Sequence, residues 1–249
     1  MYYLLSLACG LALCSCSPNP PAAAEAQPAG QSPADSIVGR AIAHHYGDYY
    51  ADADVSFVFR EKQYTIRQQG GVYAYARTWS DTTDLVTNDG ILRLVGDREV
   101  ALTEKQKAAY TEAVNSVRYF FMLPYGLNDP AVQKEYLGQQ SIKEKPYDVL
   151  RVTFAAEGGG VDHDDVYYYY FHAGEGKLDY LAYSFTVNGG GVRFRAATNE
   201  RRIGGKLVQD YINYQPEAAD TPVGELAELY AADKLLELSR IENTNIRMD

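Results

Sequence analysis

The chain has 249 residues, 46 % of them hydrophobic, and a formal net charge of −10. That acidic balance, with no basic stripe anywhere, excludes a nucleic-acid binder that works through clustered Lys and Arg. Tyrosine is abundant at 22 residues, and its apolar ring with a polar tip suits sheets and surfaces that meet amphipathic ligands.

The chain opens "MYYLLSLACGLALCSCSPNPP". The apolar stretch from Tyr2 to Cys14 is too short to span a bilayer and has the length of a signal-peptide core, although a basic n-region is missing. Leu13-Cys14-Ser15-Cys16 resembles a bacterial lipobox, with Cys16 as the residue to be acylated. Residues 1–16 are therefore expected to be a lipoprotein signal peptide ending at Cys16. The chain's three cysteines are Cys9, Cys14 and Cys16, so cleavage before Cys16 leaves the folded part without a thiol. Residues 17–34 are rich in Pro and Ala and read as a tether, and residues 35–249 as a single domain.

Helical order begins at "SPAD", where Ser32 is placed to cap, Pro33 to open the first turn and Asp35 to complete a capping box. Ile37, Val38, Ala41, Ile42 and His45 follow at helical spacing, and Gly47 ends the run. Strands come next: "VSFVFR", "QYTIRQQ", "VYAYARTWS", and a hairpin in "DLVTNDGILRLV" with its turn at Asn88-Asp89-Gly90. A second helix opens at Thr103 and stops near Pro124. A second β block runs from Tyr147 to about Tyr214, with turns at "EGGG", "HAGEGK", "NGGG" and "IGG". A short helix opens at Thr221-Pro222, and "LLELSRIE" after it reads as a last strand. Glycine turns between successive strands imply antiparallel pairing, and the absence of βαβ alternation disfavours a Rossmann fold or a TIM barrel.

The run "DVYYYYF" does not alternate apolar with polar residues. Pairing Phe171 with Leu178 and Val187 with Val192 collects Val166, Tyr168, Leu181, Tyr183, Phe185, Val187, Val192, Phe194 and Ala196 on one inner, aromatic face. The same register puts Tyr167, Tyr169, Arg193 and Arg195 outside. Phe120, Phe121 and Tyr125 in "YFFMLPYG" are placed at the rim of that face, where a helix ends at a Pro-Gly break.

Together "ADVSFVFREKQY", "YFFMLPYGLNDP", "DDVYYYYF", "LDYLAYSF", "GGGVRFR" and "QDYINYQPE" resemble a Bacteroidota lipoprotein family of unknown function with a LolA/LolB-like fold. The resemblance runs from about Asp35 to the C-terminus. It implies an α+β, mainly antiparallel fold: an incompletely closed β-barrel wrapped around helices, with an apolar cavity that takes acyl chains in the carrier relatives. It also implies a lipid-anchored protein on the periplasmic face of the outer membrane, since the tether lacks the acidic run of surface-exposed lipoproteins. The expected partners are a lipid, acyl chain or lipoprotein, with Tyr168, Leu181, Tyr183, Phe185, Phe194, Phe120, Phe121 and Tyr125 as cavity candidates.

No motif for a cofactor, a metal or a catalytic triad stands out. His44 and His45 are adjacent on a helix and point about 100° apart, which suits packing better than shared ligation. Asp162, His163, Asp164 and Asp165 form a polar cluster that reads as a turn or as a cation site. Glu200, Arg201 and Arg202 read as a charged loop or as a grip on an anionic head group. Two further readings stay open. One is a structural envelope protein with a filled core. The other is a hydrolase or lyase that uses His163, which includes the aldolase label carried by some relatives.

Overall fold

The computed structural model describes residues 32–155, 165–186 and 189–249. The lipobox, residues 17–31 of the tether, Asp162, His163, Asp164, Val187 and the whole "EGGG" turn lie outside the described residues. Two seven-stranded antiparallel sheets dominate. Helix α1, Pro33–His45, starts at the expected box: Ser32 Oγ accepts the Asp35 N–H at 3.1 Å, and the Asp35 carboxylate accepts the Ser32 N–H at 3.3 Å. Strands β1 (Ala53–Phe59), β2 (Lys62–Gln69), β3 (Val72–Trp79), β4 (Thr82–Thr87), β5 (Gly90–Val95) and β6 (Arg98–Val100) then run as a meander of tight turns. Helix α2, Glu104–Met122, opens on a second capping box between Thr103 and Gln106.

The second meander comprises β7 (Val132–Ile142), β8 (Lys145–Phe154), β9 (Tyr167–His172), β10 (Leu178–Phe185), β11 (Gly191–Ile203) and β12 (Lys206–Gln215). Helix α3, Leu226–Ala231, follows, then β13 (Leu236–Ile241) and β14 (Thr244–Met248). The first sheet has the order β14-β1-β2-β3-β4-β5-β6 and the second β13-β12-β11-β10-β9-β8-β7. The mainly antiparallel α+β class is as expected, and the incomplete closure takes the form of two separate sheets. Strands β13 and β14 are consecutive in the chain, yet each edges a different sheet. Their turn is a seam, pinned where Asp210 accepts the Asn243 N–H at 3.0 Å and Arg201 donates to the Asn243 carbonyl at 2.6 Å.

In the first sheet, Val55, Phe57, Tyr64, Ile66, Tyr75 and Val86 alternate onto one buried face and pack with Val114 and Met122 of α2. Phe57 stacks on Phe121 with ring centres 3.9 Å apart. Farther along that sheet Asp84 is fully buried, held by Arg77 at 2.5 Å and Arg93 at 2.6 Å. Burial pushes the Asp84 carboxyl up, but the hydrogen bonds from Arg93 and Arg77 prevail and hold it below the usual carboxylate range.

The second sheet is covered on both faces, which explains the unbroken tyrosine run. Tyr167, Tyr169 and Phe171 join Leu178, Leu181 and Tyr183 on the face packed by α1. Tyr170 joins Ala182, Val192, Phe194 and Ala196 on the opposite face, under Leu226 and Ala227 of α3. The expected register fails in two places. Phe171 does pair with Leu178, but a bulge at Asp179 follows, so Tyr169 pairs with Leu181 and Tyr167 with Tyr183. The next hairpin pairs Phe185 with Gly191 and Ala182 with Phe194, not Phe185 with Phe194. Tyr167 and Tyr169 therefore face in. Tyr168 and Phe194 belong to the other face, and Arg195, expected outside, is turned inside opposite Leu181.

Candidate functional site

A cavity of about 230 Å³ lies at the seam, walled by α2 on one side and by β12 and β13 on the other. Ser116, Val117, Phe120 and Phe121 line it from one face of α2, as the spacing i, i+1, i+4, i+5 requires. Leu123, Leu207, Val208 and Ile241 add apolar surface, and Phe59 and Arg60 close it at the end of β1. Among the described residues no helix is long and apolar enough to cross a membrane. Nor do they contain a group of three His, Cys, Asp or Glu side chains placed to hold a metal.

The rest of the lining is polar and buried: His45, Arg195, Gln209, Asn213 and Asn243. Arg195 and Asn213 are directly paired across β11 and β12, so their side chains share a face. Gln209 and Tyr211 continue that face along β12 by alternation. The Arg195 guanidinium lies 3.7 Å from the centre of the Phe120 ring and donates to the Tyr183 hydroxyl at 2.8 Å. Its Nε has no partner, and neither do Gln209 Oε1 and Asn213 Oδ1. Gln209 Nε2 is used, donating to the Leu178 carbonyl at 2.8 Å and the Tyr211 hydroxyl at 3.2 Å. Burial pushes the Tyr211 hydroxyl up to about 12, so it stays neutral.

His45 ends α1 beside this cavity. The Leu178 N–H donates to its Nε2 at 3.2 Å, so the ring is an acceptor there and neutral. Burial, together with the nearby charges of His44, Lys177 and Arg202, pushes its pKa down to about 3. Its role is to bind α1 to the bulged start of β10.

Of the residues picked from sequence, Phe120 and Phe121 line the cavity. Leu181 and Tyr183 lie in the core on the same sheet face, and Tyr183 holds Arg195. Phe185 packs at the edge of that core under the Arg193 guanidinium, 4.9 Å away. Tyr125 packs instead with the first sheet's cluster, its ring 5.7 Å from that of Tyr50. Tyr168 and Phe194 are corrections: Tyr168 lies against Gly224, and Phe194 stacks on Tyr230 at 4.7 Å, both on the α3 side. Glu200, Arg201 and Arg202 are part of strand β11 rather than a loop, and each is engaged. Glu200 binds Lys177 at 2.7 Å, Arg201 binds Asp210 at 3.1 Å, and Arg202 donates to the Gly205 carbonyl at 2.7 Å. Sequence reasoning missed Arg195, Gln209 and Asn213. Their signal was the polar alternation Gln209, Tyr211, Asn213 in a strand otherwise rich in buried residues.

A family model described as "Family of unknown function (DUF6503)" matches residues 51–243. The chain belongs to that family. The matched span runs from the start of β1 to the seam, so it covers the strands and the helix that wall the cavity. Comparison with curated proteins found no match. Among solved structures, a LolA superfamily protein from Nitrosomonas europaea is 11 % identical with a TM-score of 0.47, over 86 % of this chain and 92 % of its own. A DUF1329 family protein from Desulfovibrio piger is 9 % identical with a TM-score of 0.46, over 88 % of this chain and 94 % of its own. Neither likeness carries an inference about function.

Proposed function

We propose that this member of the family is a lipid-anchored envelope protein that receives an apolar or amphipathic ligand, such as the end of an acyl chain, in the seam cavity. One observation carries the reading: a partly open pocket of about 230 Å³ at the seam, walled by Val117, Phe120, Phe121, Leu123, Leu207 and Ile241. Apolar cavities of about 150 Å³ accept benzene, so by proportion this one suits roughly nine heavy atoms. It is smaller than the 300–1,000 Å³ usual for drug-sized ligands, which favours a short chain or a chain terminus over a whole lipid. The lipobox ending at Cys16 supports a membrane tether, and placement on the periplasmic face of the outer membrane rests on the sequence of the tether. Native mass spectrometry of protein extracted gently from membranes tests the reading. An apolar adduct that organic extraction removes is expected. A protein that is always bare and takes up no added fatty acid leaves the structural-protein reading in its place.

A further inference from the structure

The cavity has two chemically different kinds of lining, apolar and buried polar. Three buried polar atoms have no partner there: the Arg195 Nε donor and the Gln209 Oε1 and Asn213 Oδ1 acceptors. Their side chains belong to residues only 9 %, 8 % and 9 % exposed. Arg195 carries a guanidinium, and its contacts among the described residues are the Tyr183 hydroxyl and the Phe120 and Tyr183 rings. A buried cation met, among the described residues, by a phenol and two ring faces is undercompensated, and an anion beside it would relieve that.

Water serves the three polar atoms but not the apolar part of the lining. Three waters to serve the three atoms need about 90 Å³, at roughly 30 Å³ each. About 140 Å³ of the 230 Å³ then remains, bounded mainly by side chains such as Val117, Phe120, Phe121 and Leu123. That apolar part of the lining is where a hydrocarbon chain fits.

We propose that the cavity selects a medium-chain carboxylic acid that carries a hydroxyl near its head. The carboxylate sits on Arg195, the hydroxyl donates to Gln209 or Asn213, and the chain lies along Phe120 and Val117. This rests on the ligand-binding reading above and adds the head group to it. The charge decides between an acid and a neutral lipid, because only an acid answers the Arg195 guanidinium with a charge-assisted hydrogen bond. The two orphan acceptors decide between a plain acid and a hydroxy acid, because a carboxylate cannot donate.

The test is isothermal titration calorimetry of the purified protein with 3-hydroxyoctanoate, octanoate and 1-octanol. The expected order is 3-hydroxyoctanoate tightest, then octanoate, then 1-octanol, with at least about a tenfold gap between the first and the last. Asn213→Asp puts a fixed carboxylate directly opposite Arg195, and Arg195→Gln removes the charge. In both variants, with folding verified by circular dichroism, the preference for acid over alcohol should fall below about twofold. Equal affinity for acid and alcohol in the wild type overturns the head-group inference and leaves the apolar reading standing. A preference that persists in both variants also overturns it. No binding of any of the three probes overturns both readings together.

Discussion

Lowering the pH from 7 to 5 should destabilise this protein through His45. The folded-state pKa is about 3, against 6.5 for an exposed histidine, because burial disfavours the charged ring and Lys177, Arg202 and His44 add to that. The unfolded chain therefore binds the proton more readily than the folded one. The contribution of neutral His45 is fully present above pH 6.5 and is lost as pH falls toward 3. For a shift of that size, linkage gives about 0.2 kcal/mol lost at pH 7 and about 2 kcal/mol lost at pH 5. For a domain of this size that corresponds to a fall in melting temperature of about 4–8 °C. The geometry agrees, since protonating Nε2 removes the acceptor that the Leu178 N–H uses. Urea unfolding at pH 7, 6 and 5 measures the slope. His45→Gln keeps an acceptor and removes the titration, so its stability should vary much less over the same range. A variant that loses the same 2 kcal/mol between pH 7 and 5 would show that the acid sensitivity comes from elsewhere.

Asp84→Asn should cost about 3–5 kcal/mol in urea unfolding, because it strands Arg77 and Arg93 beside a neutral group in a buried site; a loss under 1 kcal/mol would mean the cluster is better hydrated than its burial indicates. Phe57→Ala should cost about 3–5 kcal/mol, since Phe57 is fully buried and stacked on Phe121, and near-native stability would contradict the packing of α2 on the first sheet. Mass spectrometry of the membrane-extracted protein should show an N-terminal acylated Cys16, with more than one chain, since one alone anchors only marginally; a soluble form starting elsewhere would remove the tether from the account. Thermal unfolding of that mature form should be the same with and without reductant, because cleavage before Cys16 would remove Cys9 and Cys14; a reductant-dependent midpoint would contradict that cleavage site.

Helix starts were legible because a capping box is local: Ser32 with Asp35, and Thr103 with Gln106, satisfy their own backbone donors whatever surrounds them. The hairpin at Asn88-Asp89 was legible for the same reason. Register was not. It depends on the bulge at Asp179, where Tyr147 donates to the Asp179 carboxylate at 3.1 Å and Lys177 approaches it at 3.3 Å, tertiary contacts that a turn motif does not announce. The extra residue there brings Tyr167 and Tyr169 to the face expected of Tyr168, and the separate register of the β10–β11 hairpin, with Phe185 opposite Gly191, exchanges Phe194 with Arg195. Strand β7 went unseen because it is an edge: Lys134, Glu135, Gln139 and Gln140 blunt it, and Gly138 breaks its period with a positive φ. Strand β14 is five residues long and largely exposed, and only its pairing with β1 makes it a strand. At the site, the aromatic wall of α2 followed from helical spacing. The polar lining did not, because Arg195 faces the cavity only once the β10–β11 register is known.

The most direct test of ligand binding at the seam is displacement of a fluorescent fatty acid by 1-octanol, measured on the wild type and on Val117→Phe. Val117 lines the cavity from α2, and a phenylalanine there occupies the space the ligand needs. The account predicts saturable displacement from the wild type and little or no probe uptake by a folded Val117→Phe. Equal uptake by both proteins, or none by either, would contradict it.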